Sequence, residues 1–245
     1  MISSQPYGEL AKIYDRVMDH VKYDKWVDYI SSIFEKYDVR VTRILEIACG
    51  TGNFSLYFNE LGYDITCTDL SPDMLKIAAV KFEKHNIPKK LFAADMSSLP
   101  LKGEFDAVLC LYDSVNYLLD SENVKKTMTD IYSVLRPGGL FIFDVCTVKN
   151  SKLYFADNTM FEELDDIKYE RKCSYNDTEC IQENVFIVDC LDKNYVERHL
   201  QRIYTLKEIE DIISGTLFKN LGIFNDLTFF EGSEDSERVH FVLKK

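Results

Sequence analysis

Residues 44–55, Ile-Leu-Glu-Ile-Ala-Cys-Gly-Thr-Gly-Asn-Phe-Ser, constrain this chain more than any other stretch. A short apolar run ends in Gly-Thr-Gly and passes into an amphipathic segment, which predicts a strand, a tight loop and the start of a helix. Gly50 and Gly52 remove two Cβ atoms where the backbone must turn sharply and approach a ligand closely. A helix starting near Asn53 directs its free N–H groups at the same point. Taken alone, the pattern also fits an ordinary strand-to-helix turn.

The next segment decides between these. Tyr63-Asp-Ile-Thr-Cys-Thr-Asp69 reads as a second strand that closes on an acid, 17 residues after Gly52. In a right-handed strand–helix–strand unit that acid comes to rest beside the glycine loop, where it can accept both hydroxyls of a ribose. A dinucleotide-binding loop needs a third glycine for close packing of helix on strand. Ser55 stands where it would be, so an NAD-dependent oxidoreductase is disfavoured.

Glu46-Ile-Ala48-Cys-Gly50-Thr-Gly52 resembles the first motif of class I S-adenosylmethionine-dependent methyltransferases, an acid followed by Gly-x-Gly-x-Gly, with Ala48 in place of the first glycine. The remainder of the resemblance follows in order. Leu70-Ser-Pro-Asp-Met74 supplies a helix N-cap at Ser71 and a proline at the first helical position. Leu91–Met96 reads as a third strand with Asp95 near its close, and Phe105–Leu111 as a fourth. An amphipathic helix through Val124, Met128, Ile131 and Leu135 stops at Arg136-Pro-Gly-Gly139, and Leu140–Val145 is the fifth strand. Segments near 218–230 and 238–243 read as a final hairpin.

The resemblance implies an α/β fold. It would be a Rossmann-like, doubly wound, mostly parallel seven-stranded sheet with an antiparallel last strand. It also implies S-adenosyl-L-methionine as cofactor. Glu46, Ala48, Gly50, Gly52, Asp69, Leu70, Met74, Asp95, Met96 and Leu111 would surround it, Met74 packing on the adenine and Asp95 bonding its amino group. The reacting centre falls at the tip of the fourth strand, Leu111-Tyr-Asp-Ser-Val-Asn-Tyr117. There Asp113 is the candidate base or substrate contact and Tyr117 a candidate wall of the site; a helix cap is the alternative role of Asp113. No metal ligand set is implied.

Residues 1–40 read as an N-terminal helical lid, with Leu10, Ile13, Tyr14, Val17 and Met18 on one apolar face and Trp26 through Tyr37 on another. Tyr14-Asp-Arg-Val-Met18 resembles the N-terminal segment of a bacterial small-molecule subgroup, which makes Tyr14 and Trp26 candidates for contact with the methionine moiety; simple packing is the alternative. The core would comprise 41–149 and 205–245. Between them, 150–204 reads as a small antiparallel β insert over the active site, with strands at 167–175, 180–189 and 195–204, turns at Asn176-Asp177 and Asp192-Lys-Asn194, and Arg198, His199, Arg202 and Tyr204 on it. Thr205-Leu-Lys-Glu208 is a capping-box pattern that starts the next helix.

Composition bounds the acceptor. With 41 acidic against 29 basic residues, the net charge is −12. A surface of this sign is poorly suited to nucleic acid, which needs cations that displace counterions. No apolar run is long enough to span a membrane. Seven scattered cysteines, an odd number, without a Cys-x-x-Cys or a signal peptide predict reduced thiols and a cytoplasmic protein. The Asn-Pro-Pro-Tyr signature of methyltransferases acting on base or amide nitrogens is absent; the position reads Tyr112-Asp-Ser-Val115. The expectation is therefore a methyltransferase with a small-molecule acceptor, monomeric or dimeric through the insert. The alternatives are an RNA methyltransferase and a non-catalytic cofactor-binding protein.

Overall fold

The computed structural model of the chain describes residues 2–164, 167–190 and 193–245. In chain order it contains β1 (Ile2–Ser3), α1 (Tyr14–Val17), α2 (Tyr23–Lys36), β2 (Arg43–Ile47), α3 (Asn53–Glu60), β3 (Asp64–Asp69), α4 (Pro72–Lys84), β4 (Leu91–Ala93), β5 (Phe105–Cys110), α5 (Ser121–Val134), β6 (Leu135–Cys146), α6 (Val148–Tyr154), β7 (Asp157–Leu164), β8 (Ile167–Asn176), β9 (Ile181–Cys190), β10 (Lys193–Arg202), α7 (Leu206–Ser214), β11 (Lys219–Asn225) and β12 (Arg238–Lys244).

The seven-stranded sheet runs β11-β12-β6-β5-β2-β3-β4. Strands β2 to β6 are mutually parallel, and β12 lies antiparallel to both β6 and β11. The two-residue period of the strands divides the core between two faces. Ile44, Ile65, Ala107, Leu109 and Ile142 face α2, α3 and α4. Leu45, Ile47, Val108, Phe141 and Phe143 face α5 and α7. Sheet residues on both faces are almost wholly buried, which is why these strands read in sequence as continuous apolar runs. Among the described residues no helix is long and apolar enough to cross a membrane.

Helix termini follow the local chemistry. The Ser71 hydroxyl accepts the Met74 N–H at the start of α4, and Thr205 with Glu208 forms a complete capping box on α7. Gly52 is the N-cap of α3 at φ +75°, and a Cβ there would lie 2.7 Å from Cε1 of Phe82 on α4. Gly52→Ala therefore combines left-handed strain with overpacking and should cost on the order of 2–4 kcal/mol, measurable by urea unfolding.

The second sheet has five strands, in order β1-β10-β9-β8-β7. Three of them match the expected antiparallel strands; β7, α6 and the contribution of the N-terminus do not. β7 carries Asp-Asn-Thr-Met-Phe-Glu-Glu, exposed along most of its length, so it has no buried face to produce an alternating pattern. It is an edge strand recognisable only by its pairing with β8. The first forty residues are not wholly helical either, because Ile2–Ser3 pairs in parallel with Tyr195–Val196 and shields the open edge of β10. Leu10 and Ile13 then pack on Tyr169, Phe186 and Val188 of this sheet. The turn expected at Asn176-Asp177 is present. Asp192 of the second expected turn falls outside the described residues.

Candidate active site

The carboxyl ends of β2, β3, β4 and β5 open into a cavity of about 970 Å³. In an open parallel sheet this is the edge where ligands bind. The floor includes Glu46, Ala48, Cys49, Gly50 and Thr51 of the glycine loop, with Asp69, Leu70, Met74, Asp95 and Met96 from the next two crossovers. Leu111, Tyr112, Asp113 and Tyr117 come from the tip of β5, and Tyr7 and Tyr14 from the N-terminal segment. The structure thus brings most of the sequence-predicted site residues to one cavity.

Two do not line it. Trp26, expected to meet the methionine end of a donor, is 6% exposed and packs behind the wall against Phe54, Tyr112 and His240, with ring centroids 5.4, 5.7 and 5.0 Å away. It sits on the sheet-facing side of α2; Tyr23 of the same helix is the aromatic that reaches the cavity. Gly52 acts one step removed, by letting α3 approach α4. Ala48 adopts φ +53°, a left-handed conformation that suits glycine better, so the loop holds a backbone turn of the glycine type with a Cβ in place.

The acids differ in their partners. Asp69 accepts the Gly50 N–H through Oδ2 and the Ser71 N–H through Oδ1, both at 2.8 Å. This clamps the glycine loop to the end of β3. Asp95 accepts the Ser97 N–H at 2.7 Å through Oδ1 and caps a short 3-10 turn. Glu46 is 2% exposed and accepts the Ser55 hydroxyl. Burial raises its carboxyl to about 8, opposed by the Ser55 hydrogen bond. A raised folded-state value means that the neutral form is favoured by the fold. Its stabilisation is complete below about pH 4.5 and is lost as pH rises towards 8. The ligand-free protein should lose stability between pH 5.5 and pH 8, and Glu46→Gln should flatten that slope in urea unfolding at the two pH values.

At the tip of β5, Tyr112 and Asp113 have consecutive left-handed backbones, φ +61° and +51°. Their N–H groups donate to the buried Asp144 carboxylate at 2.6 and 2.8 Å, which holds the strained turn. Arg238, at the start of β12, bridges Asp144 and Asp113; its Nη2 lies 2.7 Å from Asp113 Oδ1. The guanidinium also stacks on Tyr112 and Trp26. Gln201 donates to Asp113 Oδ2 at 2.6 Å, so both Asp113 oxygens are engaged. No side-chain cap bond forms at Asp113, although it occupies the N-cap position of the 3-10 turn Ser114–Tyr117.

The roof is the inner face of the second sheet. Alternate residues Gln182, Asn184 and Phe186 on β9 and Glu197, His199 and Gln201 on β10 are buried. Glu197 accepts the N–H groups of Tyr7, Glu9 and Leu10 at 2.8, 2.6 and 3.0 Å, tying the N-terminal segment under the roof. The Tyr7 and Tyr117 hydroxyls meet, and Tyr117 lies 3.4 Å from Nδ1 of His199. Burial pushes both phenols above their ordinary values, so they are neutral hydrogen-bonding groups near pH 7. Asp15 ties the N-terminal segment to the glycine loop through Thr51 (2.5 Å), to the start of α3 through Asn53 (3.0 Å) and to α4 through Lys81 (2.8 Å). Of the other insert residues singled out in the sequence, Arg198 pairs with Glu183 and Arg202 with Glu208. The Tyr204 hydroxyl donates to the Leu118 carbonyl.

Comparison with known proteins agrees with this geometry. The family described as "Methyltransferase domain" matches residues 44–139. The chain is 32% identical to "Putative methyltransferase YqeM" of Bacillus subtilis (strain 168), over 98% of this chain and 97% of that protein. The chain belongs to the S-adenosylmethionine-dependent methyltransferases. A crystal structure of such a methyltransferase from Clostridium acetobutylicum matches with TM-score 0.85 and 27% identity, covering 97% of this chain and 98% of that one. S-adenosylmethionine-bound CalS10, an amino pentose methyltransferase from Micromonospora echinaspora, shares the fold at TM-score 0.71 and 19% identity.

The methyltransferase's residues fit S-adenosylmethionine. A Cβ at Gly50 would meet nothing nearer than 3.9 Å, which leaves its backbone open to a ligand. The carboxyl groups of Glu46, Asp69 and Asp95 suit an ammonium group, a ribose diol and an adenine amine, a nearby cation favouring the ionised form of Glu46 against its burial, and Met74 and Leu111 provide apolar surface. Tyr7, Asp144, Glu197, Gln201 and Arg238 were missed in the sequence. The alternation at 182-184-186 and 197-199-201 was available as a signal, but apart from Phe186 its buried residues are polar and read as the solvated face.

Proposed function

We propose that this methyltransferase acts on a small-molecule acceptor held between the β5 tip and the roof formed by the second sheet. The observation that carries this is the roofed cavity itself. At about 970 Å³ it lies at the upper end of the size range of small-molecule sites, roughly 300–1,000 Å³. That suffices for a nucleoside-sized donor and a modest acceptor. The acidic balance of the chain argues against a polyanionic acceptor such as RNA.

When bound, S-adenosylmethionine supplies an electrophilic methyl carbon on a good leaving group. The chain's residues have to hold and align. In this reading Glu46, Asp69 and Asp95 take the donor's polar groups, and the strained Tyr112–Asp113 turn fixes the wall beside the acceptor. Orientation is the largest contribution such a site can make. Asp113 is a positioning group here: both of its oxygens are already engaged, one by Arg238 and one by Gln201. Tyr7 and Tyr117 offer hydroxyls to the acceptor and exclude water. Free thiols at six described cysteines fit a cytoplasmic setting.

Incubation with methyl-labelled donor and two substrate pools, a mixed set of small amines, phenols and acids and a preparation of total RNA, tests the reading. Label in the small-molecule pool is expected. Label in RNA alone, or turnover with neither while S-adenosylhomocysteine binds, contradicts it.

A further inference from the structure

The roof carries a cation that faces the cavity. Arg171 on β8 is the sole Lys or Arg among the described residues lining the cavity. Its Nε and Nη2 both donate to Asn184 Oδ1, at 3.1 and 2.9 Å. The guanidinium plane packs on Phe155 and Phe186, 5.0 and 5.3 Å from the ring centroids. Among the described residues no carboxylate is ion-paired with it. A half-buried guanidinium fixed by a neutral amide and two aromatic faces keeps its full charge and donors to spare. Its neighbours orient it without neutralising it.

We propose that Arg171 binds a carboxylate on the acceptor, so that the substrates of this methyltransferase are small carboxylate-bearing molecules. The proposal rests on the reading that the acceptor occupies the roofed half of the cavity. A carboxylate matches the planar fork of a guanidinium in a bidentate pair. The acids of the cavity do not forbid it. Asp113 is ion-paired with Arg238, and the donor itself brings positive charge. They do select against a dianion, for which one guanidinium is little compensation.

The test titrates the protein, saturated with S-adenosylhomocysteine, with benzoate, benzamide and phenyl phosphate. Benzoate should bind at least about tenfold more tightly than benzamide, a difference of about 1.4 kcal/mol. Arg171→Met, which keeps an apolar stem between the two phenylalanines, should erase that preference. Arg171→Lys should retain only part of it, because an ammonium lacks the fork. S-adenosylhomocysteine affinity should be unchanged in both variants, which also shows that they fold. Equal binding of benzoate and benzamide to the wild type, a preference that survives Arg171→Met, or tighter binding of phenyl phosphate than benzoate would overturn the proposal. Failure of S-adenosylhomocysteine to bind the wild type would instead count against the donor site, and the benzoate preference measured without it would still report on Arg171.

Discussion

Asp69→Ala is expected to weaken S-adenosylhomocysteine binding about a hundredfold while leaving the protein folded. The Asp69 carboxylate accepts two backbone N–H groups, from Gly50 and Ser71, each at 2.8 Å. Alanine leaves both without that partner and withdraws the acceptor on which the ribose hydroxyls depend. Each unsatisfied group costs about 1–3 kcal/mol, and 1.4 kcal/mol is tenfold in affinity. Asp69→Asn should lie between, since one amide oxygen survives as an acceptor. Calorimetric titration of the three proteins gives the ranking. Unchanged affinity in the alanine variant would mean that the ribose is held elsewhere.

Arg238→Met should cost about 3–5 kcal/mol of stability, because it strands two carboxylates in a nearly dry site. Asp144 is 0% exposed, and Arg238 is the cation paired with it and with Asp113. The loss depends on pH. Burial already raises the Asp144 carboxyl, to about 6, against the pull of Arg238. Without Arg238 the opposing attraction is gone and the carboxyl moves further up. A carboxyl held above its unfolded value is least costly when protonated, so the penalty grows as pH rises through that window and shrinks as it falls. Urea unfolding should show a larger deficit at pH 7.5 than at pH 5. A deficit that is small or independent of pH would show that the pair contributes little to the fold.

The two networks explain what was legible in the sequence. The parallel strands β2 to β6 and the acids at their ends could be read because a strand buried on both faces is a continuous apolar run, and the glycine loop fixes where the first one stops. Asp69 and Gly50 are close in sequence and joined by one crossover, so their meeting could be foreseen. Arg238, Asp113 and Asp144 come from three separated strand ends, and only the antiparallel placement of β12 beside β6 brings them together. The roof was hidden for a different reason. Its inward residues are Gln182, Asn184, Glu197, His199 and Gln201, and a polar inner face over a ligand cavity has the same alternation as a polar outer face in water. Trp26 was misplaced because an amphipathic helix shows which residues are buried but not which of them meet a cavity rather than the sheet.

Titration of the protein with S-adenosylhomocysteine in a calorimeter, with NADH in a parallel run, tests the central claim most directly. The arrangement of Glu46, Gly50, Asp69 and Asp95 predicts one site per chain for S-adenosylhomocysteine and no heat with NADH. Binding of NADH, or of neither compound, would contradict the assignment of this cavity to the methyl donor.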